Sequence, residues 1–328
     1  MNGADLRRLF QRLAADASPV DGTFAALEVP RSGGHMAFIS AAGTHGLLLV
    51  TSEGGARPPR IRLSGLDALF GVRCTLSVAG AVPEERRLTV LSCTADANVR
   101  PFFAEFSGTL LRLIGPSPTM EQASLAIARF AALLSSLTRP SRQSVTGLIG
   151  ELMILLLSSE PALAIACWRR SANDRFDFIA PDARVECKAA SPGLRVHSFS
   201  WEQCNPPDGP ALVCSLFVEE TGGGTSVREL LDRIEARLSA APEAAVRLRE
   251  IVVSTMGEAL SEALDARFDE AACRSSHRWF NLRDVPAIRG ILPGGVGSVR
   301  FTSDLSSVDP IAPTCLAGTG LAGLVGVV

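Results

Sequence analysis

The chain has 328 residues, of which 47% are apolar and 20% charged, and its formal charge is −2. This composition excludes a disordered or fibrous chain and fits one large globular domain or two to three smaller ones. The near-neutral charge argues against a tail-driven nucleic-acid binder, which would be strongly basic. Of the 32 basic residues, only Lys188 is a lysine. A lysine that persists in so arginine-rich a chain suggests a position that arginine cannot fill.

The cysteines and the two ends of the chain bear on its location. The eight cysteines form no C-x-x-C pair, which favours reduced thiols over a disulfide framework or a zinc site. The N-terminal segment lacks the apolar stretch of a signal peptide, so we expect a cytoplasmic protein. The uncharged tail at 311–328 is slightly short of the roughly 20 apolar residues that span a bilayer. We therefore expect a buried edge segment or a loose tail there, and no membrane partner.

Residues 1–115 are predicted to form a β-rich N-terminal module. Apolar runs separated by Gly- and Pro-bearing turns predict strands at 35–41, 46–51, 74–79 and 87–93, and a helix at 99–113 closes the module. The Gly115-Pro-Ser-Pro118 run is typical of a linker. After it, Thr119 and Gln122 form a capping box that opens a helix with a wide apolar face.

Residues 116–225 are predicted to form an α/β core, and residues 226–328 a C-terminal α/β extension with an apolar tail. A helix at 144–158 is apolar almost all round, which predicts that it is buried. The predicted strands of the core are 175–180, 183–190 and 211–218. In the extension, a capping box of Ser226 and Glu229 opens a helix. A buried strand at 251–255, helical residues at 256–275, and a loop with a short strand at 291–305 follow.

The segment 177–188 carries the clearest chemical signal. Its turn at Pro181-Asp182 predicts a hairpin that pairs Phe178 with Val185 and sets Asp177 opposite Glu186. Two opposed carboxylates whose Cβ atoms are about 5 Å apart repel each other unless a cation compensates them. A divalent cation with hard oxygen ligands would do so.

Two further residues join this pair. Lys188 lies on the same predicted strand face, two residues beyond Glu186. Glu151 lies inside the most apolar helix, where a carboxylate is costly unless it is paired or bound to a metal. The sequence therefore predicts a site of three carboxylates and one lysine. The competing interpretations are an exposed hairpin face with a Glu–Lys pair and, for Glu151, a helix residue that reaches the surface.

These motifs resemble the PD-(D/E)XK nuclease superfamily. The pattern is similar in particular to a bacterial branch known as PD-(D/E)XK motif proteins, often encoded near phage-defence genes. The segments that carry the resemblance are Gly147-Leu-Ile-Gly-Glu-Leu152, Trp168, Arg175-Phe176-Asp177-Phe178, Glu186-Cys187-Lys188 and His197-Ser-Phe-Ser-Trp-Glu-Gln203. They cover about residues 143–220, and Phe176 replaces the proline of the motif's name.

The resemblance implies an α/β fold whose restriction-endonuclease-like core is a mixed β-sheet flanked by helices. It implies a Mg²⁺-dependent DNA endonuclease, with Mn²⁺ as a substitute metal, that serves a restriction or phage-defence system. Asp177, Glu186 and the main-chain carbonyl of Cys187 would hold the metal, as would Glu151, either directly or through water. Lys188 would orient or deprotonate the attacking water and stabilise charge on the phosphate. The role of a base agrees with the single lysine, because arginine stays protonated and cannot act as one.

Four residues near the motifs are candidates for contacts with the substrate: His197, Gln203, Arg175 and Arg184. The alternatives are structural hydrogen bonds and ordinary solvated arginines. The expected partners are DNA and other defence subunits, such as a methyltransferase or an ATPase. Because a nuclease that cuts both strands of a duplex often dimerises, a homodimer is a further expectation. A catalytically inactive DNA-binding or scaffold subunit is the alternative function, motivated by the neutral charge and the missing proline, and a nuclease acting on RNA or structured DNA is a third.

Overall fold

The computed structural model describes residues 3–16, 18–52, 56–63, 65–76, 82–94, 100–139, 141, 143–171 and 174–325. The chain divides into two compact units, Met1–Arg139 and Pro140–Val328. The division thus lies after Arg139, whereas the sequence favoured divisions near 115 and 225. The helix that follows the 115–118 linker packs back onto the first unit, and the segment after 225 packs onto the predicted core.

The first unit is a six-stranded antiparallel sheet with three helices among its described residues. Its elements are α1 (Gly3–Asp16), β1 (Phe24–Glu28), β2 (Met36–Ser40), β3 (His45–Leu49), β4 (Ile61–Leu63), β5 (Leu66–Leu76), β6 (Glu84–Cys93), α2 (Arg100–Ile114) and α3 (Met120–Ser135). The strand order is β1-β2-β3-β6-β5-β4. The predicted strands at 35–41, 46–51 and 87–93 and the helix at 99–113 are confirmed to within a few residues. Of the predicted strand 74–79, residues 74–76 end the longer β5, and 77–79 lie outside the described residues.

The predicted capping box at the start of α3 is present. The Gln122 N–H donates to Thr119 Oγ1 (3.1 Å), and the Thr119 N–H donates to Gln122 Oε1 (2.9 Å). Two of the backbone donors that a helix leaves unpaired at its start are thereby satisfied by local side chains. The position of this helix start was predictable for that reason.

The second unit is built around a mixed sheet of four strands. Its elements are α4 (Val145–Leu157), α5 (Pro161–Cys167), β7 (Phe178–Ile179), β8 (Arg184–Ala190), β9 (Val196–Ser200), α6 (Trp201–Cys204), β10 (Ala211–Phe217), β11 (Glu220–Ser226), α7 (Val227–Arg237), α8 (Pro242–Met256), α9 (Leu260–Asp265), β12 (Arg267–Phe268), α10 (Glu270–Ser276), β13 (Arg278–Asn281) and β14 (Arg300–Asp304). The sheet order is β13-β10-β8-β7. Strands β8 and β10 are parallel and the other neighbours antiparallel, as in the predicted mixed sheet.

The buried helix α4 lies on one face of this sheet, and a glycine allows its close approach. A Cβ at Gly150 would lie 3.0 Å from both Cys187 Sγ and the Ala189 Cβ on β8. The next residue, Glu151, is carried toward the sheet by this contact. The opposite face packs against the β9–β14 pair through an apolar cluster that includes Phe199, Val213 and Phe280.

Several predictions for the second unit need correction. The predicted strand at 251–255 is wrong, because these residues belong to α8. A short apolar run does not by itself distinguish a buried strand from a buried helix segment. The predicted strand at 175–180 is reduced to β7, and the helical stretch at 256–275 is split by β12.

The described part of the apolar tail is anchored by a few buried leucines, and other residues of it are exposed. The side chains of Leu316, Leu321 and Leu324 are almost fully buried. The hydroxyl of Ser159, next to α5, donates to the Gly323 carbonyl (3.2 Å). Across the described chain, none of the helices has the length and apolar character needed to cross a membrane.

Candidate active site

The hairpin of β7 and β8 brings the predicted strand residues together. Phe178 pairs with Val185, so the predicted register is confirmed. Because β7 begins at Phe178, its pairing with β8 stops at Val185, and at Cys187 the described strands pair with β8 only on the β10 side. The Cys187 N–H instead donates to Asp177 Oδ2 (2.8 Å), which fixes the Asp177 carboxylate at the edge of β8.

Glu186 and Lys188 lie on the same face of β8 and contact each other. Lys188 Nζ donates to Glu186 Oε1 (2.6 Å), and only 5% of Glu186 is exposed. The ammonium group also lies 5.1 Å from the centroid of the Phe199 ring, within the range of a cation–π interaction. A carboxylate and an aromatic ring thus hold the only lysine of the chain in position.

Glu151 is buried and bound on both oxygens. Its Oε2 accepts from Trp168 Nε1 (2.6 Å) and Arg169 Nε (2.7 Å), and its Oε1 accepts from Arg169 Nη2 and Gln143 Nε2 (both 2.6 Å). Arg169 forms the two-pronged pair that suits a guanidinium and a carboxylate. Its Nη2 also lies 3.2 Å from Asp177 Oδ1. Arg169 therefore links the helix carboxylate to the hairpin carboxylate.

Burial and mutual repulsion act on both hairpin carboxylates. Burial raises the pKa of Asp177 well above its ordinary value, and the neighbouring Glu151 and Glu186 raise it further, against Arg169. Burial also raises the pKa of Glu186, against the opposing effect of Lys188. Three carboxylates share two cations here, which leaves one negative charge in excess when all are ionised. An additional cation would stabilise the ionised forms.

The donor groups fit a hard divalent cation only in part. Among the described residues, no group of three or more acidic, His or Cys side chains is arranged to hold a metal ion. Glu151 is not available as a metal ligand, because Arg169 donates hydrogen bonds to both oxygens of its carboxylate. Asp177, Glu186 and the Cys187 carbonyl supply the oxygen donors that Mg²⁺ prefers.

The two hairpin carboxylates open onto a cleft of about 360 Å³. The charged residues that line it are Asp174, Arg175, Asp177, Glu186, Glu202 and Arg300. Gln203 lines it as well, and its Nε2 donates to the Arg175 carbonyl (2.8 Å). The capping box of Ser200 and Gln203 at the start of α6 fixes this amide in place.

A comparison with protein-family models identifies the chain. The family described as "Putative PD-(D/E)XK family member, (DUF4420)" matches residues 6–306. The chain belongs to this family. The resemblance drawn from the motifs is thus confirmed, as is the α/β fold. Neither the comparison with curated proteins nor that with solved structures found a match.

Two predicted substrate contacts of this PD-(D/E)XK family member do not line the cleft. His197 is buried, its Nε2 lies 2.8 Å from Ser215 Oγ, and burial lowers its pKa to about 4. Arg184 directs its Nη1 toward the Asp208 carbonyl (3.4 Å). Of the four candidates, Gln203 and Arg175 are the ones that the structure brings to the carboxylates.

Two arginines of the site carry no distinguishing local signal in the sequence. Arg169 is one of 31 arginines, although a buried Glu151 calls for a partner. Arg300 reaches the cleft because β14 pairs with β9, which sets Arg300 opposite Ser200. No local pattern in the sequence connects a residue at 300 with the hairpin.

Proposed function

We propose that this chain is a Mg²⁺-dependent endonuclease that hydrolyses phosphodiester bonds in DNA. The observation that carries the proposal is the pair Asp177 and Glu186, two carboxylates that line a cleft beside the only lysine and whose pKa values are raised, chiefly by burial. Perturbed carboxylates in a cleft are typical of functional sites. Membership of the PD-(D/E)XK family supports the same reaction class.

Each residue of the site has a separate role in the proposed reaction. Asp177, Glu186 and the Cys187 main-chain carbonyl would hold the cation. When bound, such a cation polarises a phosphate oxygen and lowers the pKa of water. Lys188, held against Glu186, would orient or deprotonate the attacking water, and Arg175 and Arg300, which line the cleft, would contact phosphate oxygens.

The decisive experiment is a cleavage assay on the purified chain. Plasmid DNA, linear duplex, single-stranded DNA and RNA would be incubated with Mg²⁺, Mn²⁺ or EDTA. We expect DNA to be nicked or cut only with metal, and cleavage to be lost in Asp177→Asn and Glu186→Gln. The matched control is Glu220→Gln, which removes an exposed carboxylate outside the cleft. Equal cleavage by Asp177→Asn and the unaltered chain would contradict the proposal.

A restriction or phage-defence role is part of the same proposal and rests on the branch that the motifs resemble. It includes a cytoplasmic location, methyltransferase or ATPase partners, and a homodimer as the form that cuts both strands. Neighbouring genes for such subunits would support it. The direct test is plaque formation on cells that express the locus, which Asp177→Asn is expected to restore. Light scattering measures the oligomeric state.

A catalytically inactive DNA-binding or scaffold subunit is the second candidate. The observation that favours it is Arg169, which already binds Glu151 and contacts Asp177. Fixed cations can compensate carboxylates in a nuclease fold that has lost its chemistry. Calorimetric titration with Mn²⁺ separates the candidates, because the absence of any binding that depends on Asp177 and Glu186 favours the scaffold.

A further inference from the structure

The two units carry opposite net charges. Residues 1–139 contain 14 basic and 11 acidic residues, a net charge of +3, whereas residues 140–328 contain 18 basic and 23 acidic residues, a net charge of −5. The candidate active-site cleft is negatively charged like the second unit to which it belongs, because four acidic residues and two arginines line it. A nucleic acid is a polyanion and is bound largely through its phosphates. Arginines elsewhere in the chain would add to the phosphate contacts proposed for Arg175 and Arg300.

The first unit contains a cavity with the opposite charge. It measures about 680 Å³ and lies among α1, the loop 29–35 and the end of α2. Its charged lining consists of Asp5, Arg8, Arg12, Arg31 and Arg112. Leucine and proline side chains form much of the rest. Apolar walls with a few converging polar groups are typical of small-ligand sites of this size.

The loop that carries Arg31 is held rigidly by a buried histidine. The Val50 N–H donates to His35 Nδ1 (3.0 Å), so the proton of the neutral ring is on Nε2, which donates to the Gly115 carbonyl (2.9 Å). His35 is fully buried. Its ring therefore ties the loop to the strand end at Val50 and to the end of α2.

Close backbone packing completes this anchoring. A Cβ at Gly33 would lie 2.2 Å from the Pro116 carbonyl oxygen, so only glycine allows the loop to approach this segment. The Ser32 hydroxyl donates to the Val29 carbonyl (2.7 Å). Within this anchored loop, Arg31 has a φ of 59°. A side chain in the left-handed region is strained, and such strain is found where the surroundings impose it and where function uses it.

We propose that this cavity binds a phosphorylated ligand of the nucleotide class, either a free nucleotide or a nucleotide unit of a nucleic-acid strand. Arginine suits the role, because its planar fork matches the oxygens of a phosphate. The apolar walls would accept the base or sugar. The phosphate site stands on the cavity alone, whereas its use for a nucleic-acid strand rests on the proposed nuclease function.

The test uses the full chain in EDTA, so that neither cleavage nor metal bridging contributes. Calorimetry measures the binding of pyrophosphate and of a deoxynucleoside monophosphate, and fluorescence anisotropy that of a short single-stranded DNA. We expect Arg31→Gly and Arg12→Gln each to weaken binding about tenfold, the scale of a lost hydrogen bond to a charged group. Glycine suits the left-handed position 31, so the melting temperature should not fall. The matched control is Arg87→Gln, an exposed arginine of β6 that does not line the cavity, and its binding should change less than about twofold.

Each outcome decides the proposal. If Arg31→Gly and Arg12→Gln weaken the binding of pyrophosphate or of the nucleotide, the cavity is a phosphate site. If single-stranded DNA is the only one of the three ligands whose binding they weaken, the ligand is a nucleic-acid strand. The proposal is overturned if none of the three ligands binds, if Arg31→Gly and Arg12→Gln leave binding unchanged, or if Arg87→Gln weakens binding as much as Arg31→Gly. If the purified chain binds phosphate in this cavity but cleaves no nucleic acid, the proposed nuclease function is wrong and the proposed phosphate site is still supported.

Discussion

Two clusters of buried charge in the second unit differ in how they meet solvent. In one, Arg249 on α8 is fully buried and forms ion pairs with Glu235 and, at 3.3 Å, with Asp232 on α7. Glu235 is almost completely buried beside it, and Asp232 reaches the surface. In the other, Asp177 and Glu186 line an open cleft, and Arg169 is shared between Glu151 and Asp177.

The comparison separates a structural ion pair from a candidate active site. A buried carboxylate is by itself weak evidence for function, since a matching cation such as Arg249 can serve packing alone. The hairpin site differs because both of its carboxylates line an open cleft, whereas Glu235 is enclosed by protein. A site that binds a cation from solvent needs both an opening to the cleft and negative charge on its carboxylates that fixed cations do not fully compensate.

The largest expected effect is on the structural pair. Arg249→Met should lower the free energy of unfolding by about 3–5 kcal/mol, because it leaves Glu235 buried without its cation. Urea denaturation measures this loss. The double variant Arg249→Met with Glu235→Leu should recover most of it. A single variant as stable as the unaltered chain would show that the pair is not structural.

Lys188→Arg tests the site through chemistry instead of stability. The charge is kept but the group can no longer act as a base, so we expect cleavage to slow by about 100-fold with an unchanged melting temperature. Single-turnover cleavage with Mg²⁺ measures the rate. The matched exchange Arg267→Lys, at a half-exposed arginine on β12, should leave the rate unchanged. Full activity of Lys188→Arg would limit Lys188 to a charge-stabilising role.

Arg169→Gln tests whether the fixed cation opposes a bound metal. The substitution removes a positive charge beside Asp177 and keeps an N–H donor for Glu151, so Mn²⁺ should bind about tenfold more tightly in calorimetry. Arg175→Gln, an exposed arginine of the same cleft, is the comparison and should have a smaller effect. Weaker binding in Arg169→Gln would mean that Arg169 positions the metal site.

The smallest effect is a gain in stability at the hairpin. The pKa of Asp177 is raised, so the folded chain retains a proton that the unfolded chain loses, and stability falls as pH rises from the ordinary value of 3.8 through the raised one. In EDTA, Asp177→Asn should therefore be more stable at pH 7 by about 1 kcal/mol. The difference should vanish below the ordinary pKa. Thermal unfolding across this pH range measures it, and Glu235→Gln should show the opposite sign at pH 7.

Local rules predicted much of the hairpin and little of its surroundings. The turn at Pro181-Asp182 and the two-residue period of a strand were sufficient for the pairing of Phe178 with Val185. The same rules failed at 251–255, where an apolar run was interpreted as a strand although it lies in α8. Pro242 at the start of that helix was the signal that could have decided it.

The sequence by itself determined the family, the capping boxes, the register of the hairpin and the identity of the carboxylates and the lysine. These depend on residues close together in the chain, where turn chemistry and strand period leave few alternatives. Only the tertiary structure decided that Arg169 binds Glu151, that Arg300 faces the hairpin, and that His197 is buried on Ser215. Such contacts join segments that are distant in the sequence. The chain has 31 arginines, and only the packing of the folded chain decides which of them pairs with a buried carboxylate.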